Sequence, residues 1–301
     1  MTARPARLRR VQLAVPGASA KMLATAAASA ADHVFCDLED GVAPAAKAAA
    51  RATVIDALTG LDWGKKTVSV RINDVTTPWC FEDVIAIVER GHRRLDTVIV
   101  PKVTSASDVR FVDLLLGQLE AKLGLTRRIG VEALIEDVGA LARVDDLARA
   151  SPRLEALILG HGDYAASHGL ALAADGGPAY PGDTFYYPRW RVVMAARAAG
   201  LDPIDGPHPA VADEAGFRRE CARARALGMV GKWAIHPAQI APALAEFSPA
   251  AAEVARARRL VAAYASAAAR GVGAVQVDGL LVDAATVRLV EPVIALADRI
   301  G

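Results

Sequence analysis

Cysteine is scarce in this chain. Cys36, Cys80 and Cys221 are the only three among 301 residues, and no two of them have CxxC spacing. So sparse and odd a set argues against a disulfide framework and a structural zinc site, and it suits a reducing cytoplasm. An excess of charge is missing too: 35 basic residues face 34 acidic ones, for a net charge of +1. No global field would hold such a chain on nucleic acid or on an anionic membrane, so any anion it binds must be met by local groups. Long apolar runs are absent. Stretches such as Ala43–Ala50 are short, alanine-rich or broken by charge, and none reads as a membrane span. Arg4, Arg7, Arg9 and Arg10 crowd the N-terminus with no apolar core behind them, which does not fit a secretory signal. The strand-like Val11–Gly17 follows at once and leaves almost nothing for a transit peptidase to remove. Finally, no GxGxxG follows the first strand, which weakens a dinucleotide-binding sheet.

What is present is a globular composition, 53% hydrophobic and 23% charged, with short β-branched runs alternating with helical periodicity. The strand candidates are Val11–Val15, His33–Leu38, Thr67–Ile72, Thr97–Val100, Ile129–Ile135, Ala156–Leu159, Pro203–Asp205 and Val230–Ile235. Most are nearly continuous in apolar residues, as strands covered on both faces should be. Between them, Val109, Val112, Leu116, Leu119 and Leu123 repeat at helical spacing behind Ser105 and Asp108, a capping-box pattern. Leu141, Val144, Leu147 and Ala148 mark another helix. Eight strands alternating with helices predict a (β/α)8 TIM barrel, with a doubly wound sheet as the alternative. The barrel is expected over residues 1–247, and a helix–hairpin–helix extension over 248–301. That extension should start at Ser248-Pro249, with Ser248 as N-cap, and run to about Arg270. A hairpin turning at Asp278-Gly279 and a last helix from about Ala284 complete it. The stretch Leu172–Tyr187 is long for a loop and is a functional candidate for that reason.

In a parallel barrel the active site lies at the carboxyl ends of the strands. Polar residues follow the apolar runs at those ends: Asp37-Leu38-Glu39-Asp40, Arg71-Ile72-Asn73, Pro101-Lys102, Glu136-Asp137, His161-Gly162-Asp163, Asp205-Gly206 and His236-Pro237. Unpaired buried charge is costly, so its recurrence at one end points to a site. Carboxylates without a His or Cys cluster favour a hard cation such as Mg²⁺, with Glu136 and Asp163 as ligands. Arg71 and Lys102 would then meet an anionic substrate. Glu132, taken as out of phase with its strand end, is expected to face the helices. Structural ion pairs ringing the barrel mouth are the competing reading of all these residues.

Val15-Pro16-Gly17, Phe35-Cys36-Asp37-Leu38-Glu39-Asp40-Gly41-Val42-Ala43-Pro44, Val70-Arg71-Ile72-Asn73 and Val100-Pro101-Lys102 resemble the HpcH/HpaI aldolase or citrate lyase β-subunit-like superfamily. So do Glu132-Ala133-Leu134-Ile135-Glu136, Gly162-Asp163-Tyr164, Ile204-Asp205-Gly206-Pro207 and Gly231-Lys232-Trp233-Ala234-Ile235-His236-Pro237. This last motif and Tyr180-Pro181-Gly182-Asp183 look most like the L-malyl-CoA/β-methylmalyl-CoA lyase branch. The resemblance implies a Mg²⁺-dependent barrel, with Mn²⁺ able to stand in, that makes or breaks a C–C bond beside an acyl-CoA thioester. It makes Glu136 and Asp163 the metal ligands and has Arg71 hold the 2-oxo acid. Asp283 would be an acid–base group reaching a neighbouring subunit's site. Glu39 and Asp40 would orient Arg71 or metal waters. Lys21, Arg10, Lys102 and His236 would serve substrate and CoA. The implied partners are acyl-CoA, a 2-oxo acid and further copies of the chain, as a trimer or hexamer, in the cytoplasm. A malyl-CoA thioesterase, a citramalyl-CoA lyase, a citrate-lyase-like subunit docking a carrier protein and a binding relative without turnover are the alternatives. One departure is His161, where the family more usually has Pro in Gly-Pro-Gly-Asp.

Overall fold

The computed structural model describes residues 4–171 and 182–301. Residues 172–181 of the long loop candidate, with Tyr180 and Pro181 of the motif quoted above, lie outside the described residues. The chain divides into two compact units, Met1–Leu244 and Ala245–Gly301.

In the first unit eight parallel strands close on one another in sequence order. They are β1 (Val11–Pro16), β2 (His33–Asp37), β3 (Thr67–Arg71), β4 (Thr97–Val100), β5 (Gly130–Ile135), β6 (Leu154–Leu159), β7 (Asp202–Asp205) and β8 (Gly231–Ala234). Strands β2 to β6 and β8 are buried at every position, which is why their sequences read as apolar runs rather than alternating ones. The helices that cover them are α1 (Ala20–Ala27), α2 (Lys47–Gly60), α3 (Cys80–Gly91), α4 (Ala106–Leu123), α5 (Val138–Ala142), α6 (Val144–Leu147), α7 (His161–His168), α8 (Tyr186–Ala198) and α9 (Glu214–Ala226). The (β/α)8 barrel is therefore shown. None of the helices among the described residues is long and apolar enough to cross a membrane.

Local chemistry sets the helix ends. The Asp108 carboxylate accepts from the amide of Ser105 at 2.9 Å, so the capping box opens α4, and Gly124 closes it in the left-handed region. Where one helix was expected around Leu141–Ala148 there are two, because Arg143 leaves helical backbone (φ −111°, ψ 19°).

The barrel interior is layered. At the amino-terminal end of the strands, Gln12, His33, Ser69, Thr97 and Glu132 form a buried polar layer. Gln12 Nε2 donates to Glu132 at 2.9 Å, and Arg9 pairs with Glu132 at 3.2 Å and with Glu155 at 2.6 Å. Glu132 thus corrects the expectation that it faces the helices. Glu132, Leu134 and Glu136 share one face of β5, because alternate residues of a strand point the same way. Phe35, Ile99, Leu134, Ile158, Ile204 and Trp233 make the apolar middle. Arg10 is also corrected. It precedes β1, so it sits at the amino-terminal end, where its guanidinium pairs with Asp32 at 2.7 Å, and it cannot serve a ligand at the other end.

Barrel closure leaves no room for a side chain at Gly231. A Cβ on Gly231 would lie 1.7 Å from the carbonyl oxygen of Arg9, where β8 meets the chain entering β1. Gly231→Ala should cost about 3 kcal/mol, the upper end for overpacking, read as a fall in Tm. Gly60→Ala is the control: nothing lies within 4 Å of a Cβ there, and Tm should hold or rise.

α10 (Ile240–Phe247) runs across the boundary, and the second unit contains its last three residues, then α11 (Ala251–Ala268), the hairpin β9 (Val275–Val277) and β10 (Leu280–Val282), and α12 (Ala284–Ile300). The hairpin turns at Asp278 and Gly279, both with positive φ. Ser248 is not the N-cap of α11. Ala250 takes extended backbone (ψ 148°), so the helix starts two residues later and Pro249 stands outside it.

Candidate active site

At the carboxyl ends of the strands a cavity of about 440 Å³ opens over an aromatic floor. Phe35 and Trp233 pack with ring centroids 4.4 Å apart, and the Arg71 guanidinium lies 5.6 Å from the Trp233 ring. Asp37 and Arg71 are partners in the register of β2 and β3. That register makes the ion pair a fork: Nε and Nη2 of Arg71 each donate to one Asp37 oxygen at 2.7 Å, and Nη1 lies 3.0 Å from Glu39. Burial works against the Arg71 charge, but Asp37 and Glu39 outweigh it and push its pKa further up. Asp37 is a residue that the strand-end reading named without giving it a role. The signal was its place opposite Arg71 in neighbouring apolar runs. Its oxygens also accept from the amides of Glu39 (2.9 Å) and Gly41 (3.0 Å), so this carboxylate is saturated and holds its loop in place.

Lys102 follows β4 with φ +49°, a left-handed conformation that is uncommon outside glycine and concentrates at functional sites. The turn aims its amide at Glu136 Oε1, 2.7 Å away. Its ammonium pairs with Glu39 and, at 2.9 Å, with Asp40, and lies 3.8 Å from Asp163. The charge expected to meet a substrate is therefore engaged by Glu39 and Asp40. Burial raises the Glu39 carboxyl against the pull of Arg71.

Glu136 directly follows β5 and is buried. Its carboxyl is pushed up to about 8 by burial, with the Asp163 carboxylate adding to the effect and the Lys102 amide and Arg71 opposing it. Gly160 makes room for it: a Cβ there would lie 2.5 Å from Glu136 Oε2. Asp163, in the first turn of α7, lines the same cavity and is half exposed. Among the described residues no three His, Cys, Asp or Glu side chains gather as a metal cluster. What is present is a pair of hard oxygen donors, one of them held against its own charge. Such a pair fits a cation that keeps waters or substrate oxygens in its remaining positions.

Both ring nitrogens of His161 are engaged. Its Nε2 meets Asp205 at 2.9 Å, its Nδ1 meets the Pro207 carbonyl at 3.1 Å, and its ring stacks on Phe185. Asp205 also departs from the strand-end expectation. Its partners are Arg189 of α8 (2.8 Å), Lys232 (2.7 Å) and His161, a buried ion cluster between barrel wall and helices. Lys21 of α1 and His236 line a neighbouring cavity of about 360 Å³ with Met22 and Thr25, and this cavity shares Val15, Pro16 and Ile235 with the first. His236 Nδ1 also accepts from the Ala238 amide at 3.2 Å. Asp283 belongs to the second unit, where it caps α12: it accepts from the amide and hydroxyl of Thr286 at 2.9 and 3.1 Å, bonds that pull its carboxyl down.

With this geometry in place, comparison with known proteins decides the family. Residues 10–237 match the HpcH/HpaI aldolase/citrate lyase family. The chain belongs to that family. It is 42% identical over 305 residues to an L-malyl-CoA/β-methylmalyl-CoA lyase of Rhodobacter capsulatus, covering 98% of this chain and 96% of the relative. It is 34% identical to a (3S)-malyl-CoA thioesterase of Cereibacter sphaeroides, covering 96% and 94%. Among solved structures it is similar to the protein CitE from Mycobacterium tuberculosis in complex with magnesium, acetoacetate and coenzyme A. That likeness has a TM-score of 0.76 at 30% identity, over 96% of this chain and 97% of the other. The aldolase family thus explains both the order of the motifs and the gathering of charged strand ends over one cavity.

Proposed function

We propose that this chain is a metal-dependent C–C lyase that cleaves, or forms, a 3-hydroxyacyl-CoA such as malyl-CoA or β-methylmalyl-CoA, with acyl-CoA and glyoxylate on the other side. The observation that carries the reading is the convergence of Arg71, Glu136 and Asp163 on one cavity. The identity to malyl-CoA lyases supports it. Glu136 and Asp163 are the residues to hold Mg²⁺, which when bound supplies Lewis-acid stabilisation of charge on substrate oxygens.

The rest of the chemistry falls to the chain's own groups. Asp37 accepts from Nε and Nη2 of Arg71 and Glu39 lies 3.0 Å from Nη1, which leaves N–H groups on both terminal nitrogens for the 2-oxo acid. Because Arg71 is held before substrate arrives, it stabilises developing charge without reorganising. In cleavage the C3 hydroxyl gives its proton to solvent water, the C2–C3 bond breaks, and its electron pair passes into the thioester enolate, which then takes a proton at C2. Asp283 of a second copy exchanges that C2 proton, and its Thr286 bonds keep it ionised for the condensation direction. Lys21 and His236 line the CoA side. The chain works as a cytoplasmic homo-oligomer, a trimer or hexamer.

Turnover of malyl-CoA with Mg²⁺ and with EDTA tests this reading, with glyoxylate and free thiol followed separately. Mg²⁺-dependent glyoxylate without free thiol is the expected result. Free thiol with malate and no glyoxylate would establish instead the thioesterase reading, which the 34% identical relative favours. A second experiment addresses Asp283. Mixed oligomers of Asp283→Ala and Arg71→Lys subunits should regain part of the activity that each lacks alone. Verified mixed oligomers without recovery would remove Asp283 from the site.

A further inference from the structure

A second charged cavity lies at the opposite end of the barrel. It measures about 340 Å³ and is lined by Arg4, Thr126, Arg127, Arg128, Arg153 and Glu155 among others. Arg128 and Arg153 each stand just before a strand, β5 and β6, so this is the amino-terminal face, remote from the carboxyl-end site.

The charges do not cancel. Arg153 is consumed by Glu120 and Asp113, at 2.6 and 2.5 Å, and Glu155 by Arg7 and Arg9, at 2.7 and 2.6 Å. The other three arginines have no acid of their own. Arg4 Nη1 donates to the carbonyls of Ala199 (2.7 Å) and Gly200 (3.1 Å). Arg127 Nη2 donates to those of His92 and Leu95, both at 2.8 Å. Arg127 reaches an acid only at 3.6 Å, at Asp96, which is already shared by Arg94 and Arg7. Arg128 makes no hydrogen bond or ion pair among the described residues. A guanidinium held by neutral carbonyls is ordered without being neutralised, and it keeps unused N–H groups for a ligand. Part of the entropy that a binding site must spend on ordering its side chains is thus already spent. In a chain of net charge +1 such a surplus is local.

We propose that this cavity binds a small polyanion through Arg4, Arg127 and Arg128, with a phosphorylated small molecule as its ligand class. Isothermal titration with inorganic pyrophosphate at fixed ionic strength tests it. Binding of one pyrophosphate per chain should persist when the carboxyl-end site is saturated with CoA, and it should exceed binding of citrate. Arg128→Glu should weaken it by roughly tenfold or more while leaving malyl-CoA turnover unchanged. The double variant Arg127→Ala/Arg128→Ala should weaken it further, and Lys21→Ala should not affect it. Arg128 carries no structural bond, so its variant tests binding without endangering the fold. No binding, binding abolished by CoA, or equal affinity in Arg128→Glu would overturn the proposal. Tighter binding of citrate would overturn the phosphate class. The comparison of pyrophosphate binding between the parent and Arg128→Glu needs no turnover, so failure of this proposal and failure of the lyase reading are distinguishable.

Discussion

Arg71→Lys should lower kcat/KM for malyl-CoA by about 10²–10³-fold, the range seen when one preorganised donor to developing charge is lost. Lysine keeps the positive charge, so the loss measures geometry. The guanidinium spans both Asp37 oxygens and still reaches Glu39, whereas an ammonium on a flexible stem cannot hold Asp37 bidentately and present two more protons to an oxo acid. The substitution is preferable to alanine, which would leave the buried Asp37 carboxylate uncompensated and cost about 3–5 kcal/mol in stability. Steady-state kinetics with circular dichroism as a fold control decide the matter. A change within threefold would mean that Arg71 only braces the barrel mouth.

Glu136→Gln should move activity and stability in opposite directions. The carboxyl titrates near 8 in the folded chain against an ordinary value of 4.5, so between these values the folded state holds a proton that the unfolded state has lost. Stability of the metal-free protein is therefore highest below about pH 4.5 with respect to this group, and it declines as pH rises towards 8. Glutamine removes the penalty. In EDTA at pH 8 the variant should melt a few degrees higher than the parent, at roughly 2–4 °C per kcal/mol, while its Mg²⁺-dependent turnover falls by at least about 10³-fold. Added Mg²⁺ should raise Tm in the parent and not in the variant. A parent Tm that stays flat in EDTA from pH 5 to 8, with no gain from glutamine, would refute the account of Glu136 as a carboxylate held against its charge.

Most strands were legible because they are buried by helices outside and side chains inside, and runs rich in Val, Ile and Leu have few other uses. The charged positions were legible because Arg71 and Glu136 end such runs. Where those side chains point was harder to read. Asp205 ends β7 just as Asp37 ends β2, yet it turns outward to Arg189 and Lys232, a difference of strand phase that needs tertiary packing to settle. Glu132 could have been placed inward, since it lies four residues from Glu136. Arg10 could have been excluded, because a residue preceding a parallel strand belongs to the opposite end from one that follows it. The left-handed turn at Lys102 left no sequence signal, since glycine or asparagine usually marks such a position.

The polar layer inside the barrel has a consequence for biosynthesis. Trp233 Nε1 donates to Gln12 at 2.6 Å across 221 residues of chain, and Gln12 in turn donates to Glu132. On a ribosome moving at about 5–20 residues per second, the first strand waits tens of seconds for the partner that covers its end. Until then its polar contacts face water, and the long sequence separation makes ring closure a late, slow step. The same contacts oppose opening of the finished ring, because parting β8 from β1 breaks the Trp233–Gln12 bond and wets the polar layer.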